Sequence, residues 1–214
     1  MSVQELLLIA LVGWTAIGIV GVVVALARRE LVKVRKGLIW LAGVWVVYLG
    51  VLVGVSLLQP RRVVAMGQDQ CYDEMCFAVM GVDEVPRYLG LTGVGDGSRL
   101  VRVAVRVTNK GRGKSESEGL IRAYLVDGQG RRWEESRGVN GNRLTGKVEA
   151  GGMMVSEPVF KVAGDASGLG LVFTHGRWQP GVLVIGGSDS LWHKRTVVAL
   201  GRFTQLEKRA NPGD

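Results

Sequence analysis

The sequence predicts an N-terminal transmembrane α-hairpin over residues 1–60, followed by an all-β sandwich over residues 61–206 and a flexible tail at 207–214. Three observations lead there. Two runs, 6–27 and 37–58, each contain 22 residues with no charged side chain. A basic segment, 28–36, separates them. After Pro60 the hydrophobicity changes from continuous to short alternating stretches broken by glycine.

Each apolar run is long enough to cross a bilayer core of about 30 Å, which takes about 20 helical residues. They concentrate the chain's hydrophobicity, since mean hydropathy is only +0.21 over the whole sequence. A buried core helix is the alternative for one such run, but two in tandem around a charged hinge favour a membrane hairpin. The stretch before Leu6 has no Lys or Arg, and the first run exceeds the length of a signal-peptide core. Ala25-Leu26-Ala27 has the form of a cleavage site, but the first run is read as a span. The spans themselves carry no charged residue, so they describe an anchor rather than an ion path.

The hinge holds Arg28, Arg29, Lys33, Arg35 and Lys36 against Glu30. Positive loops stay on the cytoplasmic side, which places both termini and the β domain outside the cytoplasm. Arg61 and Arg62 oppose this assignment and are outnumbered. In the second span Gly43, Gly50 and Gly54 place small residues on one helix, where another helix can approach closely. Gly21 and Ala25 give the first span a similar spacing. Hairpin packing within the chain is the expected use, and homo-oligomerisation through this glycine face is the alternative. Trp40 suits an interfacial position, whereas Trp45 lies too deep for one.

Beyond residue 60 the clearest signal is 101–109, where valines at odd positions alternate with polar residues as a half-buried strand requires. Residues 120–126 form a second strand candidate. Asp127-Gly128-Gln129-Gly130 then makes a hairpin turn into Arg131-Arg132-Trp133. Further candidates are 77–82, 155–162, 169–174, 182–185 and 196–200. Eight short strands with frequent turns read as a sandwich.

Val103, Val105, Val107, Asn109 and Gly111, then Leu125, Asp127, Gly130 and Trp133, then Val159-Phe160-Lys161-Val162, resemble an immunoglobulin-like domain family of uncharacterised function found in bacterial cell-envelope proteins. The resemblance spans about residues 68–200. It implies an extracytoplasmic, non-enzymatic domain that mediates interactions, and it transfers no catalytic residues. Members usually have one anchor, so the two-helix hairpin is a departure.

Cys71 and Cys76 enclose Tyr72-Asp73-Glu74-Met75. In an oxidising compartment the expected state is a disulfide that pins a turn, with free thiols as the alternative. The four-residue spacing is not that of a redox-active pair, and a zinc site would need further ligands.

The remaining chemistry is sparse. His175 and His193 are the two histidines, and neither accompanies a G-x-S-x-G elbow. Gly93-Val94-Gly95-Asp96-Gly97 is glycine-rich, but a strand rather than a helix follows it, so it lacks the helix N-terminus of a phosphate cradle. Asp69, Asp73, Glu74, Asp83 and Glu84 match no calcium-loop spacing. No metal or cofactor is expected. Arg102 and Arg106 point away from the valine face, and Arg122 is expected to join them from the next strand, with Tyr124 placed to stack on an arginine. This basic face is a candidate contact for an anionic lipid or envelope polymer, and an ordinary solvated sheet face is the competing reading. The net charge of +8 is too mild to indicate nucleic acid.

The expectation is therefore a membrane-anchored extracytoplasmic binding or interaction module, non-enzymatic, with an accessory subunit of an envelope complex as a variant of that reading. The alternatives are an envelope hydrolase with an unrecognised site, or a structural domain whose helices carry the partner contacts.

Overall fold

The computed structural model describes residues 3–88, 90–92, 97–136, 142–175, 180–187 and 190–201. The glycine-rich segment 93–96 and the expected tail 207–214 lie outside these. The chain divides into two compact units, residues 1–61 with 177–195, and residues 62–176 with 196–214.

In the first unit, helix α1 spans Val3–Ala27 and α2 spans Leu31–Leu58. Both helices are long and apolar enough to cross a membrane, and most of their side chains are exposed: Ile17 is 74% and Val47 67% accessible. The turn between them is shorter than the basic segment 28–36 suggested. Arg28, Arg29 and Glu30 make it, with Arg29 at φ +59°. Lys33, Arg35 and Lys36 lie on the first turns of α2, because no glycine or proline interrupts this stretch and Lys and Arg are good helix formers. Lys33 pairs with Glu30 at 2.8 Å.

The helices touch through glycines other than those singled out in the sequence. A Cβ on Gly18 would stand 2.7 Å from Leu41 Cδ2, and one on Gly37 would stand 2.8 Å from Val22 Cγ2. Between these contacts and the open end, Trp45 Nε1 donates to Thr15 Oγ1 at 3.1 Å. Among the described residues, Gly43, Gly50, Gly54 and Gly21 have no atom within 4 Å of such a Cβ. The hairpin seam therefore runs on the other side of α2, and the glycine face stays open. Residues 182–185 are not a strand. A 3-10 turn, Pro180–Leu183, opens a compact segment that packs on the helices.

The described residues of the second unit form twelve strands: β1 (Val63–Ala65), β2 (Gln70–Tyr72), β3 (Met75–Val85), β4 (Arg87–Tyr88), β5 (Leu91–Thr92), β6 (Ser98–Asn109), β7 (Arg122–Val126), β8 (Arg132–Glu134), β9 (Met153–Ser156), β10 (Val159–Ala163), β11 (Gly170–Thr174) and β12 (Val197–Ala199). One sheet has the order β1-β12-β11-β7-β8, and the other β10-β6-β3-β2 with β9 also on β6. β4 and β5 form a separate hairpin. The single expected strand 155–162 is two strands, parted at Glu157-Pro158, since proline cannot donate to a ladder. β1, β2, β4 and β5 are too short to show a period in sequence.

The core lies between the two sheets. Val101, Val103, Val105 and Val107 of β6 are fully buried, as the alternation predicted. They pack in one cluster with Phe77 and Val79 of β3, Ala123 and Leu125 of β7, Phe160 of β10, and Leu171 and Phe173 of β11. Phe77 and Phe173 bring their rings to 5.5 Å between centroids. A bulge at Met80 shifts the β3–β6 register between Val79 and Gly81. It puts the Met80 side chain into solvent while Val82 returns to the core.

Candidate functional site

The outward side chains of β6 face partners that the sheet register supplies. Asp83 of β3 lies directly opposite Arg102. Its Oδ2 accepts from Arg102 Nη2 at 2.8 Å and from Nε at 3.1 Å. Glu157, at the β9–β10 break, adds a carboxylate 3.6 Å from Arg102 Nη1. The hydrogen bond to Asp83 raises the Arg102 pKa above its ordinary value. Arg106 donates to Asp69 at 3.1 Å, and Lys110 reaches the other oxygen of the same carboxylate at 2.9 Å. The Lys110 hydrogen bond, then that from Arg106, holds the Asp69 carboxyl below its usual range despite partial desolvation. Arg99 pairs with Glu84.

These contacts settle the geometry of the basic face. Arg102 and Arg106 are neutralised on the sheet that contains β3 and β6. Arg122 belongs to β7 of the other sheet and is exposed there, so it does not join them. The strand following β6 in the chain crosses to the opposite layer, which sequence adjacency does not reveal. Tyr124 does stack on an arginine, with the Arg132 guanidinium 3.6 Å from its ring centroid. Register explains the choice: Tyr124 pairs with Glu134 across the β7–β8 ladder, two residues from Arg132.

Of the acidic residues considered for calcium, Asp83 and Glu84 lie on β3, and Asp73 and Glu74 in the turn before it. Asp69, Asp83 and Glu84 each face a cation, and Asp73 sits in the β2–β3 turn at φ +54°. That two-residue turn, Asp73-Glu74, sets Cys71 directly opposite Cys76, and their sulfurs are bonded at 2.02 Å. Cys76 is buried and Cys71 exposed, with Lys110 Nζ 3.7 Å from Cys71 Sγ.

His175 is largely enclosed. Its Nε2 lies 3.4 Å from Glu118 Oε1, and its ring meets Tyr72 edge-on at 4.5 Å between centroids. His193 belongs to the other compact unit, so the two histidines do not share one. The turn at 127–130 carries more polar structure than its sequence announced. Asp127, buried, accepts from the Gln129 amide at 3.0 Å and the Arg131 amide at 2.8 Å, and from Arg131 Nε at 2.7 Å. Burial alone would raise its pKa, but the Arg131 bonds outweigh it and the net shift is downward. Asn109 is also fully buried and, through hydrogen bonds to Gly111, Lys114 and Val148, fastens the following loop to the segment around Val148.

The chain thus has two N-terminal apolar helices and a β-sandwich-like sheet domain. Solved structures similar to it include an uncharacterised β-sandwich protein from Clostridium difficile, with 12% identity, a TM-score of 0.40, and coverage of 54% of this chain and 89% of that one. A conserved hypothetical protein from Bacillus anthracis has 16% identity and a TM-score of 0.40, covering 51% of this chain and 89% of its own. The yjhA protein from Bacillus subtilis has 18% identity and a TM-score of 0.35, covering 58% and 86%. No family model matches the chain, and no curated protein matches it.

Proposed function

We propose that the chain is a membrane-anchored, extracytoplasmic interaction module without enzymatic activity, whose sandwich is immunoglobulin-like. The observation that carries this reading is the pair of apolar helices, whose side chains are exposed along most of their length and need lipid to cover them. The five cations at their connected end support a cytoplasmic hinge and an outside β domain. The Cys71–Cys76 disulfide fits an oxidising compartment. The strand order supports the immunoglobulin-like assignment: β12-β11-β7-β8 runs as G-F-C-C′, and β3-β6-β10 as A-B-E.

The partner class that fits best is an envelope protein. Ion pairing of Arg102 and Arg106 leaves that face poorly suited to an anionic polymer, with Arg122 exposed on the opposite sheet. Alkaline phosphatase or a fluorescent protein fused after Asp214, combined with cross-linking and affinity purification in mild detergent, tests the proposal. Phosphatase activity with a cross-linked envelope protein is the expected result. Fluorescence without phosphatase activity overturns the topology.

A second reading has its own observation. Among the described residues nothing covers Gly43, Gly50 and Gly54, so the helices themselves offer a close-approach face to a partner helix or a second copy. Under this reading Gly50→Leu with Gly54→Leu abolishes co-purification and leaves the β domain folded.

A further inference from the structure

Between β11 and β12 the chain makes an excursion whose described parts, 180–187 and 190–195, belong to the same compact unit as the helices. It lies along one face of α2. Tyr48, Leu52 and Ser56, spaced four apart, are buried on that face, and Leu52 is fully so. Tyr48 Oη donates to the Leu183 carbonyl at 2.6 Å, and the Ser56 and Ser190 hydroxyls share a hydrogen bond at 3.1 Å. Leu183, Val184, Ile185 and Leu191 pack against the cluster of Leu8, Tyr48 and Leu52.

Depth along α2 gives this contact its meaning. The helix ends at Leu58. At 1.5 Å per residue, Leu52 lies about 9 Å and Tyr48 about 15 Å below that end. The hydrocarbon layer is about 30 Å thick, so a span over 37–58 puts Tyr48 near its midplane. Helical Cα–Cβ bonds tilt towards the N-terminus, so the tyrosine ring is not directed back to the surface. Gly186 lies higher, where a Cβ would stand 3.3 Å from Gln59 and 3.5 Å from Gln4, both at the open ends of the helices. Its φ of +73° lets the chain turn back there.

We infer that residues 182–187 form a re-entrant loop that enters the lipid leaflet at the C-terminal end of α2, with acyl chains covering its outer side. The inference rests on the two-span reading of the helices. Irregular backbone survives at membrane depth only where its polar groups are satisfied within the protein, and the protein pairs several of this segment's groups. Val184 N donates to Gly181 O at 3.1 Å, Gly187 N to Val184 O at 3.3 Å, and Leu191 N to Val182 O at 2.9 Å. The Leu183 carbonyl is taken by Tyr48. No charged residue occurs in 180–187, and Val182, Leu183, Val184 and Ile185 are half-buried, the last three packed against the helix cluster. Trp192, 65% exposed, and then Lys194 and Arg195 follow in the order that suits a headgroup boundary.

The test uses the full chain reconstituted in phosphatidylcholine–phosphatidylglycerol vesicles, with the native cysteines in their disulfide. An environment-sensitive fluorophore is attached at Val184→Cys, with Ile185→Cys as a second position in case the first perturbs packing. Leu49→Cys on α2 and Leu120→Cys on the β domain, both exposed in the protein, are the controls. Emission at 184 and 185 is expected to be blue-shifted and lost in lipids with brominated acyl chains, as at 49, while 120 responds only to aqueous iodide. Iodide quenching at 184 and 185 with lipid quenching at 49 overturns the loop and leaves the spans standing. Iodide quenching at 49 as well overturns the spans and the loop together. Blue-shifted emission at 184 and 185 that neither quencher reaches means protein covers the segment, which overturns the lipid assignment.

Discussion

Replacing Asn109 by alanine should loosen the sheet domain more than its position at a strand end suggests. The side chain is fully buried at the end of β6. Its Nδ2 donates to the Lys114 carbonyl and to the Val148 carbonyl, both at 3.1 Å, and its Oδ1 accepts from the Gly111 amide at 2.8 Å. It thereby ties the loop after β6 to the segment around Val148, which also exchanges backbone hydrogen bonds with Glu116. Three buried hydrogen bonds at about 1 kcal/mol each put the loss at about 3 kcal/mol, and the amide and carbonyls left unpaired push it upward. That is a large share of the 5–15 kcal/mol typical of a domain. For a domain of this size it corresponds to a fall of about 10 °C in Tm. Thermal unfolding of the full chain in mild detergent, followed by tryptophan fluorescence, measures the shift. Asn109→Asp keeps the acceptor for Gly111 but turns a carboxylate towards two carbonyls, so it should be at least as damaging. A Tm within about 2 °C of the parent for both variants would refute the clamp, being under 1 kcal/mol on the same scale.

Three further outcomes are expected. Gly18→Leu or Gly37→Val should disrupt the helix pair, because either side chain meets its neighbour on the other helix at under 3 Å, whereas Gly43→Leu meets nothing; protease sensitivity of the α1–α2 turn in membranes separates the two. Lowered pKa values at Asp69 and Asp127 mean that both carboxylates contribute stability above their unfolded pKa, near 4, and lose it as pH falls through their folded values. Tm measured on acidification should therefore begin to drop below about pH 4–5, and Asp69→Asn should shrink that drop. Cys71→Ser with Cys76→Ala should cost about 2 kcal/mol, the chain-entropy value for so short a loop, and should leave the fold intact by circular dichroism.

The valines of β6 were legible because alternation within one strand is a local pattern, and the structure buries Val101 to Val107 as that pattern demands. The turn at 127–130 was legible for the same reason, although its buried Asp127 clamp was not. The two apolar runs and the cysteine pair needed only length, composition and spacing. The basic face shows where this ends. Arg102 reads as an outward cation from its own strand, but Asp83 neutralises it from a strand 19 residues away, and Asp69 meets Arg106 from 37 residues away. A one-residue change of register would turn those side chains to opposite faces, so only the assembled sheet fixes the pairs.

The helices repeat the lesson in another geometry. The sequence by itself determined that the chain carries two apolar helices with a basic turn, a disulfide-spaced hairpin and a strand-rich domain after Pro60. Only the tertiary structure decided that Gly18 and Gly37, rather than Gly43, Gly50 and Gly54, lie in the helix seam. It alone placed Arg122 on the opposite sheet from Arg106 and turned 182–185 from a strand candidate into a segment lying along α2. Periodicity records which face of an element is apolar, but many surfaces satisfy an apolar face equally well. The choice among them is made by close packing between residues far apart in the chain.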